Sequence, residues 1–351
     1  MSEDWASLVG RLAPELGGEA KEWKGKSLVS VSQLSEAALE LVVGVTDAVM
    51  ETEDPERLLA CLRGQVVASL FSEPSTRTAC SFQAAAQRLG GGTIVSNDKF
   101  SSSTKGESLE DTVRCLACYS NFLVIRNAAP GAAMRAAATV PEMSVLNAGD
   151  GVGEHPTQAL LDLYTLVREF KHDGRSSLRD VLRGKRVLML GDLKHGRTVH
   201  SLAKLLSLFE VELLYVADAA LMMPTAVIRH VHARGRATQS AHADVRDVLG
   251  DVDALYVTRL QKERFADASR FQNSYRVDRH LMDELAKPTC VVLHPLPRVD
   301  EIASDLDPDP RAAYFRQMRY GMFLRMALLA LLAGTSHLIT DDAAVGGRAA
   351  S

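Results

Sequence analysis

The chain has no large excess of charge of either sign: 40 Lys and Arg stand against 44 Asp and Glu in 351 residues, a formal net charge of −4. That balance offers no cationic field to a nucleic acid backbone, so no nucleic acid partner is expected. Long hydrophobic runs are also missing. The run Met326 to Ala333 follows Arg325 and is far too short for a bilayer, so no segment is expected to span a membrane. The N-terminal stretch MSEDWASLVGRLAPELGGEAKEWKGKS has acidic residues and no apolar signal core, and it lacks the acid-poor, Arg- and Ser-rich character of a transit peptide. A cytoplasmic location is the expectation.

Cysteine is sparse, and its five copies are an odd number for a disulfide framework, so reduced thiols are expected. Cys115 and Cys118 form a single C-x-x-C within a helical pattern. The expectation is two small apolar side chains on one buried helix face, not a metal or redox site. The dinucleotide pattern G-x-G-x-x-G is absent, and Gly191 to Thr198 only approaches a phosphate loop, because Arg197 occupies the lysine position. His155, His195, His200 and His294 show neither H-E-x-x-H spacing nor a Cys/His quartet. No metal and no cofactor are expected.

What the chain does have is a series of short Val-, Ile- and Leu-rich runs at 66–71, 93–97, 122–127, 144–149, 186–192, 211–218, 253–259 and 290–294. Near-continuous apolar strands separated by amphipathic stretches predict parallel sheets covered on both faces. Four runs fall before residue 150 and four after 185, and the length suits two cores. The fold class expected is therefore α/β, with two doubly wound domains, each a parallel sheet flanked by helices. Residues 155–170 have helical spacing and precede the polar loop KHDGRSS. Residues 310–333 predict a final helix that packs back on a lobe, and the small polar residues after 334 predict a mobile tail.

Ligands in parallel sheets collect beyond the carboxyl ends of the strands. The polar clusters stand there. Ser75, Thr76, Arg77 and Thr78 follow the first strand and precede a helix, a setting that favours phosphate through unpaired N–H groups, hydroxyls and a guanidinium. The alternative is an N-cap with a surface arginine. Arg126 closes the third strand. His155 and Gln158 lie one helical turn apart after the fourth, where a lone histidine also fits a satisfied cap. Arg197 follows the fifth, and Arg259 with Gln261 closes the seventh, two cations that suit a dicarboxylate or, alternatively, structural ion pairs. The segment from His294 to Arg298 ends the eighth.

Taken in order, F-x-E-x-S-T-R-T (71–78), K-G-E-S-L (105–109), N-A-G-D-G (147–151), H-P-T-Q-A-L-L-D (155–162), G-D-L-K-H-G-R-T-V-H-S-L (191–202), T-R-L-Q-K-E-R-F (258–265) and H-P-L-P-R-V-D-E-I (294–302) resemble the catalytic chains of the aspartate transcarbamoylase family. The likeness runs from about Lys26 to Gly334. The sister ornithine transcarbamoylases carry H-C-L-P where His294-Pro295-Leu296-Pro297 stands and lack R-x-Q-K-E-R. A second arginine, frequent in bacterial members after S-T-R-T, is replaced here by Ala79.

The resemblance implies transfer of a carbamoyl group from carbamoyl phosphate to L-aspartate in pyrimidine synthesis. It implies a carbamoyl phosphate-binding domain of residues 1–155 plus 314–351 and an aspartate-binding domain of residues 156–313. Ser75, Thr76, Arg77 and Thr78 would hold the phosphate, Thr78, Arg126 and His155 would polarise the carbonyl, and Gln158 and the Leu296 carbonyl oxygen would hold the carbamoyl nitrogen. Arg197, Arg259 and Gln261 would take the aspartate carboxylates, with Lys105, Arg126, Leu296 and Pro297 also touching aspartate. Ser101 and Lys105 match a loop that reaches a neighbouring subunit's site, which implies a homotrimer. A carbamoyltransferase with another acceptor, such as ornithine, and a non-catalytic homologue are the alternatives. The second would be expected to have lost one of Arg77, Lys105, Arg126 or His155, and all four are present.

Overall fold

The structure, a computed structural model, describes residues 14–97, 102–151, 153–170, 176–261 and 276–340. The chain divides into two compact units, one running to Leu160 and resuming at Arg319, the other spanning Leu161–Met318. Both breaks fall inside helices.

The first unit opens with α1 (Glu36–Glu51) and α2 (Pro55–Ala60), then runs through β1 (Val66–Phe71), α3 (Thr76–Arg88), β2 (Gly92–Asn97), α4 (Leu109–Ala117), β3 (Phe122–Asn127), α5 (Ala132–Thr139), β4 (Ser144–Asp150) and into α6 (Pro156–Glu169). Its sheet has the order β2-β1-β3-β4, with all pairs parallel. Ala68, Leu70, Leu123, Ile125 and Val145 pack on Val113 and Leu116 of α4 and on Ala133, Met134, Ala136 and Ala137 of α5. The alternate residues Val67, Phe122, Val124 and Leu146 are buried on the opposite face. Coverage on both faces is why these strands read as continuous apolar runs rather than alternating ones. Each fully buried Val or Leu contributes roughly 1.5–3 kcal/mol.

The second unit contains α7 (Leu178–Leu182), β5 (Arg186–Gly191), α8 (Arg197–Leu206), β6 (Glu212–Val216), α9 (Thr225–Arg234), β7 (Thr238–His242), β8 (Ala254–Thr258), α10 (Arg279–Leu285), β9 (Val291–Leu293) and the start of α11 (Tyr314–Ala333). Its parallel sheet has the order β7-β6-β5-β8-β9. Four strands were expected here and five are found. The added strand is β7, whose sequence TQSAH has no apolar run because it forms the exposed sheet edge and is paired only with β6.

Two further expectations are corrected. Cys115 and Cys118 are exposed, because the buried stripe of α4 is made by Val113 and Leu116 and the two thiols fall off it. The tail does not begin at 334: Ser336, Ile339 and Thr340 are buried, and the Leu338 carbonyl accepts from Arg57 Nε at 2.7 Å. Residues beyond 340 lie outside the described ones. In the apolar C-terminal half of α11, Leu324 and Met326 to Leu332 are buried, Arg325 stacks on Phe82 at 5.0 Å and Gly25 N–H donates to the Leu332 carbonyl. Among the described residues no helix is long and apolar enough to cross a membrane.

Candidate active site

In the first unit the chain goes from β1 outward to β2 and then returns to the other side of β1 for β3. The connections after β1 and β3 therefore diverge and leave a crevice at their carboxyl ends, the switch point where parallel sheets hold ligands. Ser75 to Thr78 and Arg126 lie there. Ser75 occupies the N-cap position of α3, yet its side chain makes no capping hydrogen bond and the first turn carries no acidic residue. The first intrahelical bond is Ala79 N–H to the Ser75 carbonyl at 3.1 Å, so the amides just before it point outward, at the positive end of the helix. The serine thus has the capping position without the capping bond, while Arg77 is exposed, as the N-cap alternative has it.

Arg126 sits at a register shift between β3 and β4, where the Ile125–Asn147 pairing gives way to Asn127–Asp150. A bulge of this kind re-aims a side chain at a strand end. The guanidinium is largely buried, with Nη1 donating to the Ala148 carbonyl at 3.3 Å and Nε 3.3 Å from a Glu73 carboxylate oxygen. The Ser72 N–H donates to the Arg126 carbonyl at 2.9 Å, tying the turn before Ser75 to this strand. Sequence reasoning gave Glu73 no role, although it lies inside the 71–78 motif.

His155 is buried, and its carbonyl accepts from the Gln158 and Ala159 N–H groups at 3.0 and 3.1 Å, so its backbone caps α6 ahead of Pro156. Its Nδ1 lies 3.5 Å from Thr157 Oγ1, and Gln158 is buried one turn on. The turn that presents His155 is held by two buried carboxylates. Asp150 accepts from the Gly131 and Glu154 N–H groups at 2.9 and 2.8 Å, while Glu154 accepts from Ser30 Oγ and Val31 N–H at 2.7 and 2.8 Å. Burial pushes the Asp150 carboxyl above its ordinary range, against the pull of these donors. Neither carboxylate was singled out from sequence, because Ser30 lies 124 residues from Glu154.

Lys105 ends a 3₁₀ turn, Ser102–Lys105, and is exposed. No hydrogen bond or ion pair of the described residues joins it to the other predicted groups. Ser101 lies outside the described residues.

The second unit repeats the switch-point logic. β5 leads outward through β6 to β7, and the chain returns on the other side of β5 for β8. Arg197, the first residue of α8, follows β5, and Arg259 follows β8. The loops meet through Gly191, paired with Thr258, whose φ of 114° and a Cβ position only 2.2 Å from the Thr258 carbonyl oxygen restrict the site to glycine. Asp192, almost fully buried, accepts from His195 N–H and faces its Nδ1 at 3.1 and 3.0 Å, and its other oxygen accepts from Gln261 N–H at 3.3 Å. Gln261 Nε2 donates to the His195 carbonyl at 2.8 Å, and Arg259 Nη1 donates to the Leu260 carbonyl at 3.2 Å. Arg197, Arg259 and Gln261 are thus brought to one end of one sheet, with Asp192 as the unpredicted joint.

Leu296 and Pro297 follow β9 and are joined by a cis peptide bond. Among the described residues Leu296 is the one non-glycine with positive φ, at 55°.

The profile described as "Aspartate/ornithine carbamoyltransferase, carbamoyl-P binding domain" matches residues 26–168, and that described as "Aspartate/ornithine carbamoyltransferase, Asp/Orn binding domain" matches residues 183–332. This chain belongs to the aspartate/ornithine carbamoyltransferase family. The aspartate carbamoyltransferase catalytic subunit of Thermococcus onnurineus is 43% identical over 317 residues, spanning 89% of this chain and 98% of that one. The multifunctional protein CAD of Squalus acanthias is 44% identical over 313 residues, but this chain spans only 13% of its length. The aspartate transcarbamoylase of Trypanosoma cruzi, solved with carbamoyl phosphate and aspartate, aligns with a TM-score of 0.80 at 41% identity, over 92% of this chain and 99% of that one. In this chain both the Ser75–Thr78 crevice and the Arg197 and Arg259 loops stand at sheet switch points.

Proposed function

We propose that this chain transfers the carbamoyl group of carbamoyl phosphate to the α-amine of L-aspartate, giving N-carbamoyl-L-aspartate and phosphate for pyrimidine synthesis. The observation that carries the reading is the cationic switch point of the second unit, where Arg197 and Arg259 lead from neighbouring strand ends that Gly191 and Asp192 hold together. Two guanidiniums suit two carboxylates, and ornithine has only one. The catalytic subunits of Thermococcus onnurineus and the Trypanosoma cruzi enzyme support the same acceptor.

In this reading Ser75, Thr76, Arg77 and Thr78 take the phosphate at the α3 N-terminus, whose first turn carries no acidic residue. Attack by the neutral amine places negative charge on the carbamoyl oxygen. Thr78, Arg126 and His155, all largely buried, stabilise that charge, with Arg126 and His155 held by their neighbours. Gln158 and the Leu296 carbonyl hold the carbamoyl nitrogen, phosphate departs with the bonding electrons, and its oxygen accepts the amine proton. Arg197, Arg259 and Gln261 orient aspartate so that its amine faces the carbonyl, with Pro297 beside it.

The proposal extends to a homotrimer in which Ser101 and Lys105 serve a neighbouring subunit's site, supported by the exposure of Lys105. It extends to the cytoplasm, supported by free surface thiols at Cys80, Cys115 and Cys118. The test is ¹³C-carbamoyl phosphate followed by NMR with unlabelled aspartate. Label is expected in N-carbamoyl-L-aspartate, and label that appears only in carbamate and cyanate decomposition products would overturn the function.

A further inference from the structure

His294 is a buried histidine that the reaction described above does not use. It follows β9 and is only 1% exposed. Its Nδ1 accepts a hydrogen bond from Leu296 N–H at 2.7 Å, and its Nε2 lies 2.8 Å from Glu301 Oε1. A ring nitrogen that accepts from a backbone N–H carries no proton, so the proton sits on Nε2 and is donated to Glu301. The Glu301 carboxylate is itself turned toward this partner by the N–H groups of Val299 and Asp300 at 3.2 and 3.1 Å. Burial raises the Glu301 carboxyl, but the His294 imidazole and the backbone donors outweigh it, and its pKa lies below the ordinary value.

The backbone of His294 is fixed as firmly as its ring. Its N–H donates to Gln317 Oε1 at 3.0 Å, Gln317 Nε2 donates to Asp162 Oδ1 at 2.6 Å, and Tyr256 O–H donates to Asp162 Oδ2 at 2.7 Å. Asp162, Gln317 and Tyr256 are all 0% exposed. Tyr256 is a residue of β8, two positions before Thr258. A left-handed leucine costs about 1–2 kcal/mol and persists only where its surroundings hold it. Here the holding contact is the imidazole two residues upstream.

We propose that His294, as the Nε2–H tautomer, is a positioning residue that locks Leu296 in its left-handed conformation and so fixes the direction of the Leu296 carbonyl oxygen, the group to which the proposed reaction assigns the carbamoyl nitrogen. This deepens the carbamoyl transfer reading and rests on it. Without the acceptor at Nδ1, Leu296 N–H loses its partner, the backbone relaxes toward negative φ, and the carbonyl turns away. Phosphate recognition by Ser75 to Thr78 does not involve this turn.

That separation supplies the test. Phosphonoacetamide carries a phosphonate and an amide NH₂, whereas inorganic phosphate carries only the first, and both are titrated calorimetrically against the full chain. Wild type is expected to bind phosphonoacetamide more tightly than phosphate; no preference would overturn the carbamoyl phosphate reading itself. His294→Ala is expected to lose affinity for phosphonoacetamide by on the order of tenfold, the scale of one hydrogen bond, with phosphate affinity unchanged. His294→Asn, whose amide oxygen can accept from Leu296 N–H, is expected to recover part of that loss. Equal weakening of both ligands, or none of either, would overturn the positioning role, as would an asparagine variant no better than alanine. If neither variant folds, ¹⁵N-histidine spectra of wild type decide: a neutral Nε2–H signal for His294 at pH 7 supports the proposal, and a proton on Nδ1 contradicts it.

Discussion

Gly191→Ala perturbs the second unit at the joint between its two arginine loops. At φ 114° an L-residue costs about 1–3 kcal/mol in backbone strain. The new methyl group would also stand 2.2 Å from the Thr258 carbonyl oxygen and 2.9 Å from its Oγ1, so roughly 1 Å of separation must open in a packed interior. That opening weakens the β5–β8 ladder, at about 1 kcal/mol per hydrogen bond lost. The expected destabilisation is about 2–5 kcal/mol, read from the urea midpoint. Because Asp192 follows Gly191 and Arg259 follows Thr258, the aspartate KM should rise by at least tenfold, while inorganic phosphate binds as in wild type. Gly184→Ala is the control: its φ is 69° but no atom lies within 4 Å of the added methyl, so it should cost about 1–2 kcal/mol and leave aspartate KM unchanged. A Gly191→Ala enzyme with wild-type midpoint and wild-type aspartate KM would refute the reasoning.

Arg259→Ala should lose about 2–4 kcal/mol of transition-state stabilisation, expressed in aspartate rather than carbamoyl phosphate kinetics; equal losses for both substrates would remove it from the carboxylate. His155→Ala should lower kcat tenfold to thousandfold with a modest change in aspartate KM, as befits a donor to a developing oxyanion, and an unchanged kcat would return it to the role of cap. Lys105→Gln and His155→Ala chains should each be nearly inactive, and co-refolding should restore activity because mixed trimers contain an interface with both groups intact; dead mixtures that sediment as mixed trimers would place each site within one chain. Burial holds the Cys61 thiol up at about 11 and the Cys290 thiol up at about 12, so the folded state retains protons there that the unfolded state gives up near 9. Stability should therefore be unaffected by these groups below about pH 9 and fall from pH 9 towards 12. A Cys290→Ala chain whose alkaline decline matches wild type would contradict that cause.

Much of this protein was legible because parallel strands buried on both faces announce themselves as apolar runs, and because the residues after those runs are polar and charged. β7 escaped the same logic. An edge strand with the sequence TQSAH needs only backbone pairing to β6, and nothing in its side chains signals it. Cys115 and Cys118 were given the correct helix but the wrong face, since i,i+3 spacing fixes that two residues share a side and not which side is covered. The supporting carboxylates were harder. Glu73, Asp150, Glu154 and Asp192 each sit within or beside a motif whose arginines, histidines and hydroxyls attract attention first, but their partners Arg126, Gly131, Ser30 and Gln261 are set by the fold. The His294–Glu301 pair is closer in sequence, yet its meaning depends on the φ of Leu296, which no residue type at that position reveals.

The measurement that bears most directly on the central claim is the ratio of kcat/KM for aspartate to that for ornithine, taken on one preparation with saturating carbamoyl phosphate and with both products identified. The paired arginines predict N-carbamoyl-L-aspartate as the product and a preference for aspartate of at least about a thousandfold, since a cationic side chain would be brought against Arg197 and Arg259 where a carboxylate belongs. Citrulline formed as fast as N-carbamoyl-L-aspartate, or in its place, would contradict the assignment of these two arginines and with it the proposed acceptor.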